Sequence, residues 1–164
     1  TCPARDPNRS QSRLWLCDTG CPFDLVNRPN LGDLAKHIEK TATPQILDTA
    51  NSRITASEEV AMGLHPLGEI ITPLVLESTP DVLTVGRRCA EEGFGFHWEP
   101  FSTKPYFILP GGTERCELES IDNVPYLRDT MNALPGGAFP AALPAVSGET
   151  LVEQASSSTN GAVY

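Results

Sequence analysis

Asp18-Thr19-Gly20 stands directly behind the apolar run Leu14-Trp15-Leu16-Cys17. A short buried strand that ends in an acidic residue and a glycine carries a carboxylate to a strand end, where Gly20 permits a backbone path that a side chain would block. A carboxylate held there can take or give a proton. The tripeptide occurs once, no Asp-Ser-Gly accompanies it, and Asp24, Asp33, Asp48, Asp81, Asp122 and Asp129 lack the glycine turn. One such group suggests half of a twofold site, completed by Asp18 of a second copy. Other chemistry has less to stand on. Cys17 and Cys21 are spaced too widely for the usual zinc knuckle, and His37, His65 and His97 lie alone, so neither a metal site nor a cofactor is expected. Phosphotransfer through Asp18 would call for a companion Lys and further acidic Mg²⁺ ligands on nearby strand ends, and none is evident.

The elements that must position Asp18 are short. A chain of 164 residues with 40% hydrophobic content accommodates one domain, of about 110 to 120 residues. Fifteen prolines and thirteen glycines with 7% aromatics favour turns and short strands over long helices, so the fold class is expected to be all-β. The net charge of −9 and twelve scattered Lys and Arg speak against nucleic acid as a partner. No apolar run approaches the ~18 residues of a membrane span, and Thr1-Cys2-Pro3 has neither a basic nor an apolar leader character. Five cysteines without a repeating spacing argue against a disulfide framework and for a reducing, intracellular, cytoplasmic setting.

Along the chain, residues 1–12 read as a flexible lead-in, 13–128 as the folded domain and 129–164 as a disordered tail or linker. Leu31, Leu34, Ala35 and Ile38 fall at helical intervals, enough for a two-turn helix or a loop. Residues 45–49 and 53–57 predict a hairpin whose tip, Ala50-Asn51-Ser52, is polar and small, suited to moving over a cleft. Residues 69–76 are β-rich with Pro73 marking an edge or bulge. Residues 81–86 predict a strand ending in glycine, and residues 87–92 a short helix stopped by Gly93. Residues 95–98, 106–109 and 115–119 complete the β series, with Pro110-Gly111-Gly112 as a turn.

Four of these segments, in this order, carry a resemblance to the retropepsin-like aspartic peptidases, and more narrowly to the protease segment of copia-type retrotransposon polyproteins. Leu16-Cys17-Asp18-Thr19-Gly20-Cys21 is similar to the family's active-site loop, with Cys21 where alanine is usual. Thr49-Ala50-Asn51-Ser52 is similar to the flap tip, with Ser52 where glycine is common. Asp81-Val82-Leu83-Thr84-Val85-Gly86-Arg87 resembles the apolar-apolar-Gly-Arg element that precedes a short helix. Gly93-Phe94-Gly95-Phe96-His97-Trp98, with Pro105 and Pro110-Gly111, resembles the copia-type segment that follows it. The likeness spans residues 13–127.

The resemblance implies a closed β-barrel protomer with one short helix, active as a homodimer, in which two copies of Asp18 share one proton and activate water against a peptide bond. Thr19 would buttress the paired loops and Gly20 offer backbone to the substrate. Ala50, Asn51, Ser52 and Arg53 would close over an extended peptide, and Gly86 with Arg87 would brace the active-site loop, Asp24 being a candidate partner for Arg87. The implied substrate is an extended peptide or the polyprotein of a retrotransposon, cut at apolar residues in the cytoplasm or within virus-like particles. The alternative is an inactive module of the same fold used for binding or dimerisation, suggested by Cys21, Ser52 and the long tail.

Overall fold

In the computed structural model, residues 12–48 and 52–130 are described. The first strand, β1 (Ser12–Asp18), alternates in burial from Leu14 onward, turning Trp15 and Cys17 inward to near-complete burial. That period of two is what lets one face of a sheet take the core while the other is left for something else. β1 lies between two partners far away in sequence. On one side it runs antiparallel to β13 (Val124–Thr130), and on the other parallel to β8 (Val82–Thr84). β8 in turn meets β2 (Leu25–Asn27), which pairs in parallel with β7 (Leu74–Leu76).

A long hairpin, β3 (Glu39–Asp48) and β4 (Arg53–Glu59), joins this sheet through β4 and β7, with an irregularity in β3 between Lys40 and Gln45. β12 (Glu119–Ile121) closes the other side on β13 through a tight turn in which Asp122 and Asn123 both take positive φ, the conformation of a type I′ hairpin. The result is an eight-stranded sheet in the order β12-β13-β1-β8-β2-β7-β4-β3. Its outer strands are β12 and β3, and no ladder among the described residues joins them, so the mostly β fold expected from composition is present as an open sheet and not as a closed barrel.

Two smaller sheets complete the β structure. β5 (Met62–Leu64) pairs with β6 (Glu69–Ile71) around a short 3-10 turn, and β9 (Gly95–His97), β10 (Tyr106–Ile108) and β11 (Arg115–Glu117) form a three-stranded antiparallel sheet. Phe107 of β10 is fully buried and takes edge contacts from Phe94 and Phe96, tying this sheet to the main core. The single α-helix among the described residues, α1 (Val85–Glu91), ends as the sequence predicts: Gly93 adopts φ +79 beyond the last turn, and Phe94 N–H returns to Arg88 C=O.

Several expectations change in detail. The helical spacing over 31–38 yields only 3-10 turns, Arg28–Asn30 and Gly32–His37, with Gly32 at φ +55 breaking the right-handed path between Leu31 and the residues after it. The strand read over 81–86 stops at Thr84, and Val85 and Gly86 already form the first turn of α1. The strand-like run 69–76 is divided at Thr72-Pro73, since proline supplies no N–H for a continuous ladder. Ser12, placed by the sequence in the lead-in, belongs to β1, and Asp129 and Thr130, placed in the tail, belong to β13. Asp129 is buried because its carboxylate lies 3.3 Å from His65 Nδ1, a partner 64 residues away. The rest of the expected lead-in and tail lies outside the described residues.

Two apolar clusters result. The larger gathers Trp15, Cys17, Leu64, Leu83, Phe107 and Leu127 among others. The smaller holds Leu25, Leu47, Ala56, Leu74 and Val82, with Leu16, Cys21, Phe23, Ile54 and Leu76 half-buried against it. The smaller cluster underlies the site.

Candidate active site

Asp18 is the last residue of β1 and pairs across the parallel ladder with Thr84. The alternation that buries Trp15 and Cys17 places Leu16, and after it Asp18, on the opposite face, the one carrying the smaller apolar cluster. Asp18 is half-buried, whereas Thr19 and Gly20 are exposed. The Gly20 backbone N–H donates to Asp18 Oδ1 at 2.7 Å, folding the turn back on its own carboxylate, and a methyl at Gly20 would come within 3.4 Å of that oxygen.

The loop from Asp18 to Asp24 is fastened at its far end too. Asp24 is buried, and its carboxylate accepts from the Thr84 backbone N–H (2.8 Å), from Arg88 Nη1 (2.8 Å) and Nη2 (3.2 Å), and from Arg87 Nη2 (3.0 Å). Thr84 therefore holds both ends of the loop, Asp18 by strand pairing and Asp24 by its N–H. Between them the Cys21 thiol donates to the Phe23 carbonyl at 3.1 Å. Burial pushes the ionisation of the Cys21 thiol up, which keeps this position uncharged beside Asp18.

Arg88 was not singled out in the sequence, where the Gly-Arg pair draws attention to Arg87. The helix decides between them. Arg88 points into the core, fully buried, and spans Asp24, Glu69 and the Thr84 carbonyl, whereas Arg87 stands about one-third exposed, shared between Asp24 and Glu92. Burial raises the ionisation of Glu69 despite its pairing with Arg88. Gly86 sits where a Cβ would be 3.7 Å from the Thr19 carbonyl, so the start of α1 packs on the Asp18-Thr19-Gly20 turn.

The hairpin residues lie apart from this knot. Ala50 and Asn51 fall outside the described residues, and Ser52 is exposed just before β4. Arg53 faces Asp48 across the last ladder pair and grips it with two hydrogen bonds of 2.6 and 3.1 Å, closing the base of the turn. Ile54, next along, joins the apolar cluster beside Leu16 and Phe23. The structure thus brings Asp18, Thr19, Gly20, Gly86 and Arg87 together around Asp24, and links the hairpin to them through the apolar cluster that holds Leu47, Ala56 and Ile54 and not through Arg53.

Comparison with family models, curated proteins and solved structures finds no match for this chain. Among the described residues no three His, Cys, Asp or Glu side chains converge as metal ligands, and no helix is long and apolar enough to cross a membrane. Cys17, Cys21, Cys89 and Cys116 are free thiols.

What the arrangement can do chemically follows from its parts. A half-buried carboxylate at a strand end, on a loop held rigid at both ends, is a proton acceptor or donor with a fixed direction. The half-buried Leu16, Cys21, Phe23, Ile54 and Leu76 beside it offer apolar surface to whatever approaches.

Proposed function

We propose that this chain is one protomer of a retropepsin-like aspartic endopeptidase, and that a homodimer juxtaposes Asp18 with its twofold mate. The observation that carries the reading is the double anchoring of the Asp18–Asp24 loop on Thr84, with Asp24 held by Arg88 and Gly86 packed on the Thr19 carbonyl. Such a frame fixes a carboxylate while leaving it open on one side, as a symmetric pair would need.

In this reading one Asp18 carboxylate takes a proton from water as the water attacks the scissile carbonyl. Its protonated mate gives a proton to the carbonyl oxygen, so the two share one proton between them, as in known aspartic proteases. The reading still counts Thr19 as the buttress between the paired loops and residues 50–53 as the flap. The half-buried apolar surface beside Asp18 supports extended substrates with apolar residues at the cut, including the polyprotein of a retrotransposon.

The test is cleavage of a fluorogenic peptide library from pH 3 to 7, with and without a statine-type inhibitor, on wild type and Asp18→Asn. Inhibitor-sensitive turnover that disappears in the variant supports the reading. A dimer in sedimentation that turns over nothing at any pH overturns it in favour of a binding or dimerisation module.

A further inference from the structure

Away from Asp18, a cleft of about 610 Å³ lies between β6 and the end of α1. Its walls include Ile70 of β6, Phe94 and Pro110, with Arg87, Glu69 and Glu92 around them. Three features set it apart from an ordinary surface hollow. Among the described residues β6 is paired on one side only, to β5, and no β5 residue lines the cleft, so the cleft runs along the other side of the strand. Ile70 is 75% exposed at the middle of that strand, flanked by Glu69 and the buried Ile71. The cleft is lined continuously from Leu67 to Thr72, and the extended residues Glu69–Ile71 within that run offer about 10 Å of strand at ~3.3 Å per residue.

We propose that this cleft is a second peptide-binding groove, in which an extended segment of a partner adds alongside β6, setting an apolar side chain on Ile70, Phe94 and Pro110 and a basic side chain toward Glu92 and Glu69. An unpaired strand provides main-chain hydrogen bonds for such an addition, and the pockets beside it select alternate side chains. The sign of the partner's charge follows from the rim. Arg87 is shared between Asp24 and Glu92 and Arg88 between Asp24 and Glu69, so three carboxylates face two guanidiniums and the rim keeps one net negative charge, on a chain of net charge −9. The groove is independent of the peptidase reading, yet it borders the active-site loop: Arg87 lines it and reaches Asp24.

The test uses the full chain and fluorescein-labelled octapeptides of alternating valine and lysine, with a valine–glutamate series as control, read by fluorescence anisotropy. A saturating statine-type inhibitor is present in one arm to occupy any site at Asp18. The valine–lysine peptide is expected to bind with the inhibitor present, at least tenfold more tightly than the control. Ile70→Ser, an exposed change that leaves the core intact, is expected to weaken it at least fivefold, and Glu92→Gln or added salt to weaken it further. Amide shifts in the NMR spectrum are expected at Gly68 to Thr72. No binding at millimolar peptide, equal binding of both series, displacement by the inhibitor, or indifference to Ile70→Ser would each overturn the proposal. Because the readout is binding and not turnover, failure here leaves the peptidase reading untouched.

Discussion

Arg88 and Asp24 meet in a fully buried, two-pronged ion pair, with Nη1 on Oδ1 at 2.8 Å and Nη2 on Oδ2 at 3.2 Å. Removing one partner of such a pair strands a charge in the interior, which costs about 3–5 kcal/mol. Arg88→Met is therefore expected to lower the urea midpoint severely. Arg87→Ala, at a position one-third exposed, is expected to cost about 1 kcal/mol or less. Arg88→Lys keeps the charge but loses the fork and should fall between. Equal losses at the two arginines would show that the helix does not distinguish them as described.

A shared site has a signature in mixing. If each active centre needs two copies of Asp18, Asp18→Asn subunits should poison wild-type ones. In an equimolar mixture allowed to exchange, turnover per total protein is expected to fall to about a quarter of the wild-type value, because only that share of dimers carries two carboxylates. A fall to one half would mean that each chain works alone. The variant itself should melt like wild type, since Asp18 supports no buried ion pair.

Gly86 separates fold from site. An alanine there would place its methyl 3.7 Å from the Thr19 carbonyl, an ordinary contact, within the first turn of α1. Gly86→Ala should therefore fold as well as wild type, or gain about 0.5–1 kcal/mol from helix propensity. Gly86→Val carries branches beyond that limit and is expected to displace Thr19-Gly20, abolishing turnover with a smaller effect on the melting temperature. Comparing kcat with the melting temperature for both variants checks this.

The cysteines should differ sharply in reactivity. Burial pushes the Cys17 thiol up to about 12, whereas Cys89 is exposed on α1. With iodoacetamide at pH 8, mass spectrometry should find Cys89 modified well before Cys17. An unfolded thiol ionises near about 8.5, so above that pH the unfolded state binds fewer protons than the folded one and stability falls as pH rises toward 12. Below pH 8 this group contributes no slope. Cys17→Ala should flatten the alkaline decline measured by urea unfolding, whatever it costs in packing.

Much of the local structure could be read from short-range patterns. The apolar run of residues 14–17 marks β1, Gly93 marks the end of α1, and Pro110-Gly111-Gly112 marks the turn between β10 and β11, because backbone sterics and short apolar runs act within a few residues. The 31–38 segment shows the limit of such reading, since its apolar spacing suited a helix while the left-handed Gly32 left only 3-10 turns.

β13 was not legible as a strand through Thr130. Asp129 and Thr130 look like the start of a polar tail until β1 pairs with them and His65 comes within reach of the Asp129 carboxylate. Arg88 likewise reads as one of two adjacent arginines, and nothing in sequence spacing says which will face inward. Asp18-Thr19-Gly20 at a strand end was determined by the chain locally, through the strand pattern and the glycine. Only the tertiary structure decided that Thr84 would hold both ends of that loop, that Arg88 would bury against Asp24, and that the sheet would stay open. Those outcomes depend on contacts between residues some sixty positions apart, whose desolvation and pairing energies have no counterpart in local sequence.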